Sequence, residues 1–120
     1  MASWIFNYSG NPTAIVEGDS IYDRNGRHHL WVLNGSLFNQ RGHHVGWTEG
    51  GVFYDEHNDV IGFVSNRTQH LPSIPAIGCT PFMPLLSLKP LRPLTSFVPL
   101  RLGHGGWSRV LLEDYIEQQS

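Results

Sequence analysis

Four stretches of sixteen residues stack without a gap: WIFNYSGNPTAIVEGD (4–19), SIYDRNGRHHLWVLNG (20–35), SLFNQRGHHVGWTEGG (36–51) and VFYDEHNDVIGFVSNR (52–67). The third column is aromatic throughout, with Phe6, Tyr22, Phe38 and Tyr54. The fourth is Asn7, Asp23, Asn39 and Asp55; the seventh is Gly10, Gly26, Gly42 and then Asn58. The twelfth is Ile15, Trp31, Trp47 and Phe63, and the fifteenth is Gly18, Asn34, Gly50 and Asn66. Each line reads as a β-hairpin. Asn or Asp opens an Asx turn, and Gly or Asn three residues later accepts the left-handed backbone that closes it. That spacing fits a type I turn followed by a G1 bulge. The Gly and Asn residues between lines make a second set of tight turns, so residues 4–67 read as about eight short up-and-down strands.

Side chains can be placed from the third line. Pairing Asn39 with His43 sets Phe38 against His44 and Leu37 against Val45. One face then carries Leu37, Val45 and Trp47; the other carries Phe38, His44, Gly46 and Thr48, with Phe38 positioned to cover the strand glycine. Both faces are apolar, so both need covering. Four hairpins facing a common axis cover one of them.

The second half supplies a cover. Prolines fall at 72, 75, 81, 84, 90, 93 and 99, and Gly78, Ser87 and Ser96 occupy the remaining slots of the same three-residue register. Three residues per turn is the polyproline II period. A second line holds Ser73, Ala76, Cys79, Phe82, Leu85, Leu88, Leu91, Leu94, Phe97 and Leu100; a third runs from Ile74 and Ile77 through Met83 and Leu86 to Lys89, Arg92 and Arg101. A straight rod of this length would reach roughly 100 Å, far beyond a domain about 35 Å across. The reading is a wrap: short straight pieces, one per hairpin, bending at Gly78, Ser87 and Ser96 and covering the face of Phe6, Tyr22, Phe38 and Tyr54, with the Leu/Phe line withdrawn from water. Charge agrees. Residues 1–66 carry three Arg and seven acids, whereas 67–108 carry Arg67, Lys89, Arg92 and Arg101 and no acid. Residues 107–118, WSRVLLEDYIEQ, read as the helix, capped by Ser108, with Val110, Leu111, Leu112, Tyr115 and Ile116 as its apolar stripe. Gly103, Gly105 and Gly106 form a flexible lead-in. The expectation is one all-β domain over 1–120: the hairpin repeat at 4–67 around a pseudo-fourfold axis, the polyproline-II-like segment at 68–106 and the helix.

Composition narrows the function. The chain has 120 residues, net charge −2 and 15% charged residues, which excludes a coiled coil, a basic nucleic-acid domain and an acidic disordered chain. One cysteine, Cys79, excludes an intrachain disulfide and is expected as a buried thiol. No apolar run reaches the ~18 residues of a membrane helix. MASWIFNYSG has neither the basic flank nor the apolar core of a secretion signal, so a cytoplasmic protein without membrane contact is expected.

The repeated IYDRNG and LFNQRG turns, the Gly46–Trp47 pair, the proline at every third residue and the terminal Trp107–Ser108 together resemble the four-fold beta-flower proteins, a small bacterial family. The resemblance spans nearly the whole chain. It implies four hairpins about a pseudo-fourfold axis and no particular activity. Family tails carry Lys beside most prolines, where this chain has Leu, Phe and Met.

Candidate functional residues are few. His28 and His44 share one repeat column, but the other two members, Pro12 and Val60, cannot ligate, and a metal usually takes three or four ligands. No metal or cofactor is expected, and no catalytic group stands out. Trp31, Trp47 and Phe63 form an aromatic row that is either core or a cage for a quaternary ammonium or a glycan, as in choline-binding wall modules. Phe82 and Met83, with Leu85 and Leu86, mark a candidate self-association surface. The reading is a non-catalytic protein-interaction or assembly module with an unknown protein partner and a possible homo-oligomeric state. The alternative is small-ligand binding through the aromatic surface.

Overall fold

The computed structural model describes residues 2–65, 71–73, 75–101 and 106–119; the expectations placed on Asn66, Arg67, Ile74, Gly103 and Gly105 lie outside these. Eight antiparallel strands follow one another in chain order and close into a barrel. They are β1 (Ser3–Phe6), β2 (Pro12–Glu17), β3 (Ser20–Asp23), β4 (His28–Leu33), β5 (Ser36–Phe38), β6 (His44–Glu49), β7 (Val52–Asp55) and β8 (Val60–Val64). β1 closes the barrel by pairing with β8 through Ile5 and Val64 and through Phe6 and Phe63.

The hairpin turns are built alike. In each, the side-chain Oδ1 of Asn7, Asp23, Asn39 or Asp55 accepts hydrogen bonds from the amides two and four residues on. The residue three on is left-handed: Gly10, Gly26 and Gly42 at φ between +80° and +89°, and Asn58 at +63°. Between hairpins, Asn34–Gly35 and Gly50–Gly51 both take positive φ, as a type I′ turn requires.

Each hairpin also slips register by one residue just inside its turn. Phe38 does face His44, but Leu37 faces Gly46 and not Val45. This corrects the expected pattern. The slipped register is a β-bulge that adds one residue on the return strand. It turns Trp47 to the same side as Phe38 and leaves Val45 with Leu37 inside the barrel.

The interior is filled by Ile5, Ala14, Ile21, Leu30, Leu37, Val45, Phe53 and Ile61, and by Leu112, Tyr115 and Ile116 of α1 (Leu112–Gln118). Gly46 and Gly62 make the room for this helix. A Cβ on Gly46 would sit 3.0 Å from the Tyr115 hydroxyl, and one on Gly62 would sit 3.0 Å from Leu112 Cδ2. Helix side chains, not Phe38, therefore take the space beside the strand glycine. The Tyr115 hydroxyl donates to the Val45 carbonyl within the core.

The helix is shorter than the sequence suggested, and Ser108 does not cap it. Gly106 to Ser108 are bound to β8: the Val60 amide donates to the Gly106 carbonyl and the Ser108 amide to the Val60 carbonyl, at 2.9 and 2.8 Å. Backbone engaged with a strand cannot also wind into a helix. The helix starts after Leu111, which is extended and gives no side-chain cap. Ser108 Oγ instead accepts from the Val110 amide at 3.2 Å.

Outside the barrel lies a second apolar layer: Trp4, Phe6, Ile15, Tyr22, Trp47, Val52, Tyr54, Val60 and Phe63, with Trp31 and Phe38 also buried. The proline-rich segment 75–101 forms neither helix nor strand and lies against this layer as a strap, with Leu71, Leu86 and Trp107 packed onto it. The whole molecule measures 38 × 36 × 22 Å, so the strap follows a bent path.

Two expectations fail on the strap. Its Leu/Phe line is not withdrawn from water: Phe82, Leu85, Leu88, Leu91, Leu94, Phe97 and Leu100 are all between 86% and 100% exposed. Cys79, on the same line, is exposed too. The reason is geometric. A chain with a three-residue repeat has three edges, and two of them are held to the barrel, so bending cannot bury the third.

Candidate functional site

The strap is fixed by a contact that recurs every nine residues. The amides of Gly78, Ser87 and Ser96 donate to the carbonyls of Gly10, Gly26 and Gly42 at 2.8, 2.7 and 2.8 Å. At the same places the strap backbone presses on the turn glycines. A Cβ on Gly10, Gly26 or Gly42 would fall 1.7, 2.3 or 1.9 Å from the carbonyl oxygen of Ala76, Leu85 or Leu94. Only glycine permits this approach.

A second contact is made where the residues allow it. The His28 amide donates to Ser87 Oγ at 3.1 Å and the His44 amide to Ser96 Oγ at 3.0 Å. In the first hairpin this place is Pro12, which has no amide, and the strap residue is Gly78, which has no hydroxyl. In the fourth, Val60 bonds the backbone of Gly106 and Ser108. Each hairpin thus meets the part of the tail that fits it.

The third strap edge runs down the barrel wall and carries the charges. Lys89 Nζ reaches Asp19 at 2.9 Å, Arg92 binds the other oxygen of the same carboxylate, and Arg92 lies 5.5 Å from the centre of the Trp31 ring. The bond from Lys89 is the main reason the Asp19 carboxyl is held down at about 2. Arg101 donates to Asn58 at 2.9 Å and to Glu49 at 2.8 Å while stacking 4.4 Å from the centre of the Tyr54 ring. The complementary charges of the two halves are therefore used in holding them together.

The histidines serve the same seam. The His28 ring sits between Tyr22 and Trp31, with centroids 5.3 and 4.5 Å away. Its Nδ1 faces Gln40 Nε2 at 2.8 Å and its Nε2 faces Ser20 Oγ at 3.0 Å. An amide nitrogen only donates, so the Nδ1 acts as acceptor and the proton is assigned to Nε2. Burial, followed by the charges of His29 and Lys89, pushes His28 down to about 4. His44 repeats the stacking with Phe38 and Trp47, at 5.6 and 4.7 Å, and burial lowers it as well. Its Nε2 has no partner among the described residues. Among the described residues, no group of three or more His, Cys, Asp or Glu is placed to hold a metal.

The candidates fall into two sets. Trp31, Trp47 and Phe63 are buried, as is His28, and His44 is half-buried. His28 stacks with Trp31 and His44 with Trp47, each within its own hairpin, while Phe63 packs against Phe6 and Trp107. Phe82 and Met83 are on the strap itself, Phe82 facing water and Met83 lining a cleft of about 450 Å³ with Trp4, Phe6, Val64 and Ile77.

A family model for 4-fold beta flower proteins matches residues 3–116, a span that takes in the barrel, the strap and most of the helix. The chain belongs to the 4-fold beta flower protein family. No curated protein and no solved structure matches it. In this beta flower, sequence reasoning missed the pairing of His29 Nε2 with Asp23 Oδ2 at 2.9 Å beside the helix end. Burial works to raise the Asp23 carboxyl, but the bond from His29 and the amides of Arg27 and Asn25 outweigh it and leave it lowered. The two residues line a cleft of about 220 Å³ with Glu113 and Glu117. No repeat column reveals this pair, because the equivalents of His29 are Thr13, Val45 and Ile61. The expectation for Ser87 and Ser96 is bends; the signal for their partnership with His28 and His44 is that Pro12, in the histidine column, has no amide where Gly78, in the serine register, has no hydroxyl.

Proposed function

We propose that this beta flower is a non-catalytic protein-interaction or assembly module that works through the outer edge of its strap. The observation that carries the reading is the row from Phe82 to Leu100: seven large apolar side chains left almost wholly in water. Monomers rarely leave patches of this extent bare, and those that do use them for binding. The strap's basic residues are engaged with the barrel, so the outer edge offers apolar contact and no charge. Burial of Trp31, Trp47 and Phe63 weighs against the alternative, an open aromatic cage for choline-type ligands or glycans. A polyproline-II backbone for the strap and a bacterial, cytoplasmic setting belong to the same proposal. The exposed single thiol of Cys79 suits a reducing compartment.

The test places a photo-crosslinking amino acid at Leu88 or Leu91 in living cells, with Glu17 on the barrel rim as control. Protein cross-links concentrated at the two row positions are expected. Equal yields at all three would overturn the reading. Separately, titration with choline or short glycans should leave tryptophan fluorescence unchanged; a saturable change would restore the ligand alternative.

A further inference from the structure

Three surfaces stand out beyond the seam already described: the cleft beside the helix with its His29–Asp23 pair, the cleft at Met83, and the outward row of the strap. In the first, Asp23 is already bonded to His29 and Glu113 to Asn7; the second is lined mainly by apolar side chains with no charged group. The row carries an inference about its partner, one that rests on the interaction reading above.

We infer that the row binds a second copy of itself, so that beta flowers associate edge to edge, strap against strap. The spacing is the first argument. Successive row members are three residues apart in extended chain, about 9 to 10 Å. Side chains on one face of a strand recur at about 6.7 Å, and turns of a helix at about 5.4 Å. Neither matches the row, so each would leave teeth or gaps unfilled. A second row of the same pitch, displaced by half a step, places one side chain in every gap. The chain's own strap has that pitch.

Charge is the second argument. Between residues 75 and 101 the only charged residues are Lys89, Arg92 and Arg101, and all three turn to the barrel, bound to Asp19 and Glu49. The row has nothing to complement a charged partner or an anionic lipid, and nothing to repel its own copy. Hydrocarbon is also a poor environment for it, because extended chain leaves backbone amides and carbonyls that only water or protein can satisfy.

Area is the third. Seven nearly bare Leu and Phe side chains offer on the order of 1,000 Å², whereas a stable pair needs roughly 800 Å² from each partner. The strap bends from the first hairpin past the third, so one neighbour meets only part of the row. The remainder is left for further neighbours. The association is therefore graded with concentration and extends beyond a closed dimer.

Sedimentation velocity of the full chain, from micromolar to near-millimolar concentration, tests this. The sedimentation coefficient is expected to climb with concentration, and the climb is expected to vanish in the double variant Leu88→Glu/Leu91→Glu. Both side chains are almost fully exposed, so circular dichroism and thermal unfolding of the variant should match the parent. Pyrene attached to Cys79, on the same edge of the strap, gives a second readout: excimer emission rising with concentration in the parent and lost in the double variant. A parent that stays monomeric without excimer overturns self-association. In that case, cross-links from Leu88 to a different protein leave the interaction reading standing, and their absence removes both. Association that persists undiminished in the double variant overturns the row as the contact.

Discussion

Replacing Gly42 with alanine tests the strap at one of its anchors. Gly42 has φ +84°, and a Cβ there falls 1.9 Å from the Leu94 carbonyl oxygen and 3.0 Å from its carbon. The left-handed conformation alone costs alanine about 1–2 kcal/mol. The collision is with backbone, so the strap must lift. Lifting breaks the Ser96 amide bond to Gly42 and weakens the His44 amide bond to Ser96 Oγ. Each is worth about 1 kcal/mol net, which brings the total to roughly 3–4 kcal/mol. Gly18→Ala is the control, since Gly18 is also left-handed at φ +58° but has nothing within 4 Å of its added Cβ. It should cost only the conformational part. Urea unfolding followed by tryptophan fluorescence measures both. A Gly42→Ala loss exceeding that of Gly18→Ala by about 2 kcal/mol is expected. Equal losses would refute the claim that the strap bears on the turn glycines.

Three further outcomes follow from the same geometry. Because His28 is lowered from 6.5 to about 4, the unfolded chain takes up its proton first; stability is full above pH 6.5, falls as the pH drops toward 4, and loses at most about 3 kcal/mol from this residue. His28→Gln should flatten acid titrations of stability in that window. Asp19 has the carboxylate form of this dependence: its contribution is full above pH 3.8 and lost as the pH falls through about 2, so urea midpoints of Asp19→Asn and parent should converge in strong acid. Tyr115→Phe strips the Val45 carbonyl of its side-chain donor inside the core and should cost about 1–2 kcal/mol in urea unfolding, with no change in barrel circular dichroism.

The hairpins were legible because their turns are local. An Asn or Asp followed three residues later by Gly fixes both the Asx bonds and the left-handed residue without help from the rest of the chain. The wrap was legible from length and from the nine-residue recurrence of Gly78, Ser87 and Ser96. What escaped was set by contacts between distant residues. The register slip between Leu37 and Phe38 depends on the bulge, which the residues alone leave open by one position. The Leu/Phe line departs from expectation because hydrophobicity does not decide which edge faces inward. Backbone bonding decides it: the edge with Gly78, Ser87 and Ser96 must meet the turn carbonyls, and the edge with Lys89, Arg92 and Arg101 must meet Asp19, Trp31, Tyr54 and Glu49. The helix start was misplaced for a similar reason, since nothing local in Trp107–Ser108 announces pairing with Val60.

Amide hydrogen exchange along the strap is the most direct test of the account. The amides of Gly78, Ser87 and Ser96 should exchange slowly, set by opening of the strap from the barrel, while those of Leu85, Leu88, Leu91 and Leu94 between them exchange close to free-peptide rates. Three protected amides at nine-residue intervals is the expected pattern. Free-peptide exchange at all three would show that the proline-rich segment is not held to the hairpin turns, and the barrel would then have to keep its outer aromatic layer out of water by other means.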